Sequence, residues 1–307
     1  MSIDDSQSRF GTVALVGRPN AGKSTLLNRV LGQKVSIVSD KPQTTRNRIV
    51  GVLNDERGQI AFLDTPGVHK PLHRLNVRMM DHVRSALSEA DVIALIVDAG
   101  ADFGKGDQYV LELLQGERDK NPDARRFVLL NKIDLLRKEK LLPLMERYHR
   151  VGIFDEIIPI SASSGDGVNE LTSLLFRSMP EGEARYPKED YTTQPERFFV
   201  AELVREKLLH HTKDELPYTT AVHVDRFEED EETSFIRIWA TIYVERDSQK
   251  GIVLGRQGAM IKRIGSEARL EMESILGAKV HLDLHVSVHE DWRDDTRFLG
   301  ELERPLD

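Results

Sequence analysis

From Gly11 to about Pro180, short apolar runs alternate with amphipathic segments of helical length, the pattern of a parallel sheet wrapped by helices. The runs predict strands at Thr12–Val16, Ile49–Leu53, Gln59–Leu63, Val92–Val97, Phe127–Leu130 and Ile157–Ile160, with helices beginning near Lys23, Leu75, Lys105, Lys138 and Val168. The second and third strands are joined directly through Asn54–Gly58, where Gly58 suits a hairpin turn, so one antiparallel edge is expected. Beyond Pro195 the order changes. An amphipathic helix, Glu196–His211, leads into two alternating strands, Tyr218–Asp225 and Phe235–Val244, separated by an acidic turn at Glu228–Glu232. A helical turn, a glycine loop, a helix ending at Leu276 and a last strand, Lys279–Val288, complete this second pattern.

Between the two patterns, Glu181–Pro195 has few aliphatic residues and carries Gly182, Pro187 and Pro195, so it reads as a linker. The expected organisation is a first domain over 1–180, a linker over 181–197, a second domain over 198–290 and a tail over 291–307. A chain of 307 residues, 39% hydrophobic and 31% charged, is long enough for two packed cores. It has no cysteine, which excludes disulfides, thiolate metal sites and cysteine nucleophiles, and makes the reducing cytoplasm the expected compartment. Met1–Ser8 is polar and acidic, and no run approaches the ~20 apolar residues that span a bilayer, so no membrane-crossing helix is expected. The net charge of −8 argues against nucleic-acid binding by bulk electrostatics. Local charge differs: between Arg246 and Arg269 six cations (Arg246, Lys250, Arg256, Lys262, Arg263, Arg269) face two acids (Asp247, Glu267), a balance of +4.

Gly17-Arg18-Pro19-Asn20-Ala21-Gly22-Lys23-Ser24 matches G-x-x-x-x-G-K-[ST] and lies between a predicted strand and a predicted helix, the context this phosphate-binding loop requires. Amide groups from Asn20 through Thr25 are expected to donate to phosphate oxygens, with Lys23 supplying positive charge and Ser24 an oxygen for Mg²⁺. The base is chosen elsewhere. Asn131-Lys132-Ile133-Asp134 follows a buried strand, and Asp134 can accept from both donors on the guanine edge, whereas adenine would leave a carboxylate unpaired. Asn131 is expected to brace the pocket, Lys132 to lie along the ring, and Ser161-Ala162-Ser163 to close it through the Ala162 backbone.

Asp64-Thr65-Pro66-Gly67 supplies a carboxylate near Mg²⁺ and a glycine N–H that can sense the γ-phosphate. In the polar stretch Gln43-Thr44-Thr45-Arg46, Thr45 is the expected remaining Mg²⁺ ligand, with Thr44 the alternative. Lys23, Thr45 and Gly67 are therefore the candidate catalytic groups. Ordering of both segments by γ-phosphate and their release after hydrolysis of GTP to GDP would constitute a switch.

Gly255-Arg256-Gln257-Gly258 is a G-x-x-G loop between two helical segments, the device with which KH domains clamp the backbone of about four unstacked nucleotides. Arg256 and Gln257 would face the strand, and Lys250, Lys262 and Arg263 would add phosphate contacts. Taken with the α-β-β-α-α-β order and the local cationic balance, this predicts a domain that binds single-stranded RNA.

The motifs over residues 17–163 resemble the TrmE/Era-type translation-factor-like GTPases, and with the second domain the whole chain resembles the Era family. The resemblance implies an α/β GTPase domain, a mostly parallel sheet with helices on both faces, followed by a small α+β type II KH domain. It also implies a K⁺ site at Asn20 beside the phosphates, and Mg-dependent GTPase activity. The implied RNA is the 3′ end of small-subunit (16S) ribosomal RNA, bound during assembly of the 30S subunit by a monomer. Family members associate peripherally with the inner membrane surface, which nothing in this composition demands. Val68 stands where Ras-type enzymes place the glutamine that orients water, so hydrolysis is expected to be slow and responsive to K⁺.

Two other readings remain open. A scaffold that holds GTP without hydrolysing it is favoured only by Val68. A membrane signalling protein would need an amphipathic or lipidated anchor, and none is expected from these residues. His281, His285 and His289 alternate with apolar residues and read as one solvated or RNA-facing sheet surface rather than metal ligands. The tail from Trp292 onward is acidic and is expected either to pack on the second domain or to fray.

Overall fold

The computed structural model describes residues 8–230 and 232–303. Residues 1–7, Glu231 of the acidic turn and the last four residues of the tail lie outside it. The chain divides into two compact units. The first comprises residues up to Ser36, then Thr45–Pro71 and Asn76–Thr193; the second comprises Ile37–Thr44, Leu72–Leu75 and the chain from Gln194 onward.

The first unit is an α/β fold. Its six-stranded sheet has the order β2-β3-β1-β4-β5-β6, built from β1 (Arg9–Gly17), β2 (Ile49–Asp55), β3 (Gly58–Asp64), β4 (Val92–Asp98), β5 (Arg125–Asn131) and β6 (Glu156–Pro159). Every pairing is parallel except β2 with β3, the edge that the Asn54–Gly58 connection predicted. Gly58 turns at φ 137°, and a Cβ there would fall 2.0 Å from the Arg9 carbonyl oxygen, so only glycine fits.

The helices are α1 (Lys23–Leu31), α2 (Arg74–Glu89), α3 (Lys105–Gly116), α4 (Leu141–Val151) and α5 (Val168–Ser178). The Ala14, Val16, Leu63 and Leu95 face of the sheet packs with Met80, Val83 and Leu87 of α2, Val110, Leu111 and Leu114 of α3, and Tyr148 of α4. Gly51 alternates with Val50 of that face, and it closes against Leu27 and Leu31 of α1 on the other side. The helix expected from Lys138 starts as a single 3₁₀ turn and becomes α-helical at Leu141.

Residues 181–193, read from composition as linker, are integrated into this unit instead. Gln59 receives N–H bonds from Arg185 and Tyr186 on Oε1 and donates to the Tyr186 carbonyl, Val52 N–H donates to Tyr191, and Thr192 donates to Val50. The segment satisfies the otherwise open backbone of the β2 edge, a role that composition does not reveal.

The second unit has α6 (Glu196–His211), a one-turn α7 (Leu216–Thr219), β7 (Ala221–Asp230), β8 (Phe235–Val244), α8 (Asp247–Leu254), α9 (Ala259–Leu276), β9 (Lys279–Val288) and α10 (Thr296–Glu303). Its sheet order is β7-β8-β9, antiparallel then parallel, with a bulge between Val224 and Arg226. Two boundaries differ from the sequence reading. Tyr218 belongs to α7, and β7 runs on to Asp230, so its carboxylates lie in an edge strand where solvent and β8 pairing both suit them.

The tail does not fray over its described part. Trp292 is buried, its indole N–H donates to the Thr219 carbonyl at 2.9 Å, and Arg293 pairs with both oxygens of Glu245. His281 and His285 are exposed on β9, whereas His289 lies past the strand, 3.2 Å from Asp295 and stacked near Phe298. No group of three or more His, Cys, Asp or Glu among the described residues could hold a metal.

Candidate functional site

In the first unit the phosphate loop connects β1 to α1. A Cβ on Gly17 would meet the Ile96 carbonyl oxygen at 2.3 Å, and one on Gly22, at φ 99°, would meet Asn131 Nδ2 at 2.2 Å. The backbone can therefore follow this path only with glycine. Asn20 also adopts a left-handed backbone, φ 63°. Leu26 N–H closes the first bond of α1 onto Gly22, which leaves the amides of Lys23, Ser24 and Thr25 in the first turn, an anion-binding end.

Lys23 is buried, with its ammonium against the carbonyls of Gly17 at 3.4 Å and Arg18 at 3.2 Å. Burial lowers its pKa to about 8, against the opposing pull of Asp64. A phosphate at the loop would complete the charge this lysine lacks.

Three separated segments converge on one point. Ser24 Oγ donates to Asp64 Oδ2 at 2.7 Å and lies 2.9 Å from Thr45 Oγ1. Thr44 Oγ1 bonds the Lys41 carbonyl instead, so the geometry brings Thr45 to this oxygen cluster. Ser36, which sequence reading missed, also donates to Asp64 Oδ2 at 2.9 Å. Asp64 Oδ1 is buried without a hydrogen-bond partner, and burial raises the carboxyl's pKa above the ordinary range. Hard oxygens from Ser24, Thr45 and Asp64 around an unsatisfied carboxylate oxygen fit Mg²⁺.

Gly67 packs on Pro19, where a Cβ would come within 2.7 Å. Next to it, Val68 N–H donates to the Gly17 carbonyl and its side chain enters the core beside Ala14 and Val16. Valine therefore orients no water; it anchors the loop.

Asn131 bridges two loops: Nδ2 donates to the Ala21 carbonyl at 2.8 Å, and Oδ1 accepts the Ala162 N–H at 2.9 Å. The Ala162 amide, expected to face the base, is thus tied to Asn131 in this structure. Lys132, at φ 68°, pairs with Asp98 at 2.7 Å. Asp98 was also missed, although it ends the neighbouring parallel strand in register with Asn131. Asp134 is exposed, with no hydrogen bond among the described residues, leaving its carboxylate open to a ligand. Ser161 is buried and holds the turn through the Ser164 N–H.

In the second unit the Gly255–Gly258 loop joins α8 to α9. Gly255 (φ 70°), Gln257 (φ 51°) and Gly258 (φ 76°) all lie in the left-handed region. A Cβ on Gly255 would fall 2.7 Å from Met260 Cβ. Arg256, Gln257 and Lys262 are exposed, and Lys250 half-buried, without partners among the described residues. Arg263 pairs with Glu267 and Arg269 with Glu273, so part of the cationic balance counted along the chain is neutralised in the fold.

Beside the loop, Ile261, Lys262, Gly265, Ser266 and Arg269 of α9 and Leu282 and Leu284 of β9 line a groove of about 260 Å³. Gly265 keeps it open, since a Cβ would press on Leu284 at 3.3 Å. Sequence reading missed the groove, whose only traces are the β9 alternation and the i, i+4 spacing of Ile261, Gly265 and Arg269.

A P-loop with an exposed carboxylate, Asp134, past the fifth strand in one unit and a G-x-x-G loop beside a groove in the other define a P-loop GTPase joined to a KH domain. A family model described as 50S ribosome-binding GTPase matches residues 12–132, and a KH domain model matches 215–293. The chain is 47% identical over 300 residues to the GTPase Era of Geobacter metallireducens, covering 98% of this chain and 99% of that protein. The chain belongs to the Era family of GTPases.

Two solved structures are 37% identical and each cover 96% of this chain and 99% of their own. One, with a TM-score of 0.91, is Era in complex with MgGDPNP and nucleotides 1506–1542 of 16S ribosomal RNA. The other, with a TM-score of 0.90, is a point variant of Aquifex aeolicus Era bound to GDP·AlF4⁻.

Proposed function

We propose that this chain binds Mg·GTP in its first unit, hydrolyses it to GDP, and in its GTP state holds the single-stranded 3′ end of small-subunit ribosomal RNA on its KH unit during assembly of the 30S subunit. It acts as a monomer in the cytoplasm, with peripheral association at the inner membrane surface; no described helix is long and apolar enough to cross a membrane. The observation that carries the GTPase reading is the orphaned Asp64 Oδ1 beside Ser24 and Thr45.

In this reading Ser24, Thr45 and Asp64 hold Mg²⁺, which neutralises charge on the β- and γ-phosphates. Lys23 contributes its ammonium to the same oxygens, Asn20 contributes to a K⁺ site, and the Gly67 N–H meets the γ-phosphate. Asp134 accepts from guanine, with Asn131, Lys132, Ser161 and Ala162 shaping that pocket. On the RNA side, Gly255 and Gly258 admit the sugar-phosphate backbone, Arg256, Gln257, Lys250, Lys262 and Arg263 contact phosphates, and the α9/β9 groove takes the bases. By linkage, RNA must then alter nucleotide affinity, and a change in turnover is the further expectation.

A second reading, an RNA scaffold without meaningful turnover, is favoured by Val68 lying in the core rather than near phosphate. Multiple-turnover phosphate release decides between them, measured in K⁺ and in Na⁺, with and without an oligonucleotide of the ribosomal 3′ end, and with Gly255→Asp as control. Turnover that rises with K⁺ and with RNA, and loses the RNA response in Gly255→Asp, is the expected result. RNA binding with no phosphate release would establish the scaffold, and equal rates in K⁺ and Na⁺ would remove the cation.

A further inference from the structure

Helix α6 carries a feature that neither its RNA-binding fold nor the nucleotide pocket explains. Three of its buried residues, Glu202, Arg205 and Glu206, are ionisable, and Arg205 and Glu206 are each only 2% exposed. Charges at this depth are costly unless each finds partners, so their partners reveal what the helix holds.

Arg205 is fixed from one side by Glu202, which accepts from Nε at 2.7 Å and from Nη2 at 2.6 Å. The same guanidinium donates to the Thr44 carbonyl. The next residue, Glu206, accepts the Val38 N–H on Oε1 at 2.9 Å and the Lys207 ammonium on Oε2 at 3.0 Å. Lys207 is in turn held by Glu271 of α9. Just before Val38, Ile37 is buried in the same core as Val200, Leu203 and Val204 of α6.

Residues 37–44 are thus held by α6 at both ends, at Val38 and at Thr44. The latter contact matters for chemistry because of covalent geometry. The Thr44 carbonyl and the Thr45 N–H share one rigid peptide plane, so a donor fixed on that carbonyl orients the bond from which Thr45 projects. Thr45 Oγ1 lies 2.9 Å from Ser24 Oγ, in the cluster that completes around Asp64.

We propose that Arg205, braced by Glu202, and Glu206 are positioning residues for the GTPase reaction: they hold the 37–44 segment so that Thr45 is presented to the Mg²⁺ and γ-phosphate site. The proposal rests on the reading of Thr45 as a ligand in the Mg·GTP state. Their action is selective by nucleotide. The phosphate loop and the guanine pocket do not depend on Thr45, so GDP binding does not need the clamp, whereas the triphosphate does.

The test uses full-length protein and fluorescent analogues of GDP and GDPNP titrated at several Mg²⁺ concentrations. Arg205→Met should weaken GDPNP about tenfold and raise the Mg²⁺ needed to support it, with GDP affinity within about twofold of the parent. Arg205→Lys, which retains a donor for the Thr44 carbonyl, should recover part of the GDPNP loss. Thr45→Ala should show the same nucleotide selectivity, and Arg205→Met with Thr45→Ala should lose little beyond the single variants, because both act on one interaction.

Equal losses for GDP and GDPNP, or fully additive losses in the double variant, would assign Arg205 a folding role alone and overturn the proposal. If Thr45→Ala weakens GDPNP while Arg205→Met and Glu206→Ala do not, the clamp fails and the reading of Thr45 stands. If Thr45→Ala itself leaves GDPNP binding unchanged, that reading fails and the proposal with it.

Discussion

The two glycine loops solve related problems in opposite ways. At Gly17–Ser24 the backbone is locked against Ile96, Asn131 and Gly67, and its single lysine is buried with a pKa lowered to about 8. At Gly255–Gly258 the loop also needs left-handed backbone, but its cations, Arg256 and Lys262, stand exposed with no partner among the described residues. A buried, pre-organised cradle suits one compact phosphate group that must be held in a single geometry. An exposed cationic loop suits a long, variable backbone read mainly through charge. Glycine supplies the same conformational freedom in both, and burial decides between chemical precision and adaptable contact.

The largest effect that would test this contrast is Lys23→Ala. Losing the buried cation of this loop should weaken both GDP and GDPNP by at least about a hundredfold, measured by fluorescence titration. A loss of only a few fold would mean that the backbone cradle does nearly all the binding.

Salt should separate the loops next. RNA affinity should fall with salt with a slope of about −0.7 per phosphate contact, and Lys262→Ala should reduce that slope by about 0.7 while weakening different RNA sequences to similar extents. An unchanged slope would exclude Lys262 from the phosphate path.

Val68→Ala tests the claim that the residue after Gly67 anchors the loop. Removing two buried methyl groups should cost about 2 kcal/mol in denaturant unfolding, with single-turnover hydrolysis little changed. A large loss of hydrolysis at unchanged stability would instead give Val68 a part in the chemistry.

The smallest effects concern Glu267. Hydrogen bonds from His211, then Arg263, hold its carboxyl below the ordinary range. Because the folded pKa is the lower one, the stabilisation is present above the unfolded carboxyl's pKa and is lost as pH falls through the folded value. For so exposed a pair it should amount to less than about 1 kcal/mol in acid unfolding. Glu267→Gln should also release Arg263, raising RNA affinity a fewfold and steepening the salt slope by about 0.7. No change would show that Arg263 already reaches phosphate while paired.

Contiguous motifs were legible because they are properties of the local chain. Gly22 before Lys23 and Gly255 before Arg256 encode backbone paths that only glycine follows; the apolar runs placed the first loop between a strand and a helix, and the second fell between two helical segments. The antiparallel edge followed from the short Asn54–Gly58 connection. The same locality explains where reading by composition fell short. Residues 181–193 look like a linker because they lack aliphatic side chains, yet they bind through backbone groups and Gln59, which hydrophobic patterning does not register. Charge counting gave the local balance but not the pairing, since Arg263 and Arg269 meet Glu267 and Glu273 one helical turn away.

By itself the sequence determined the fold class, the GTPase and KH units and the glycine-dependent paths of their two loops, because each is written in a few adjacent residues whose conformational demands are strict. Only the tertiary structure decided that Thr45 rather than Thr44 meets Ser24 and Asp64, that Asn131 ties Ala21 to Ala162, and that the buried charges of α6 grip residues 37–44. Those choices join groups far apart in the chain, and which hydroxyl or carbonyl arrives is set by register, packing and the need to pair every buried charge.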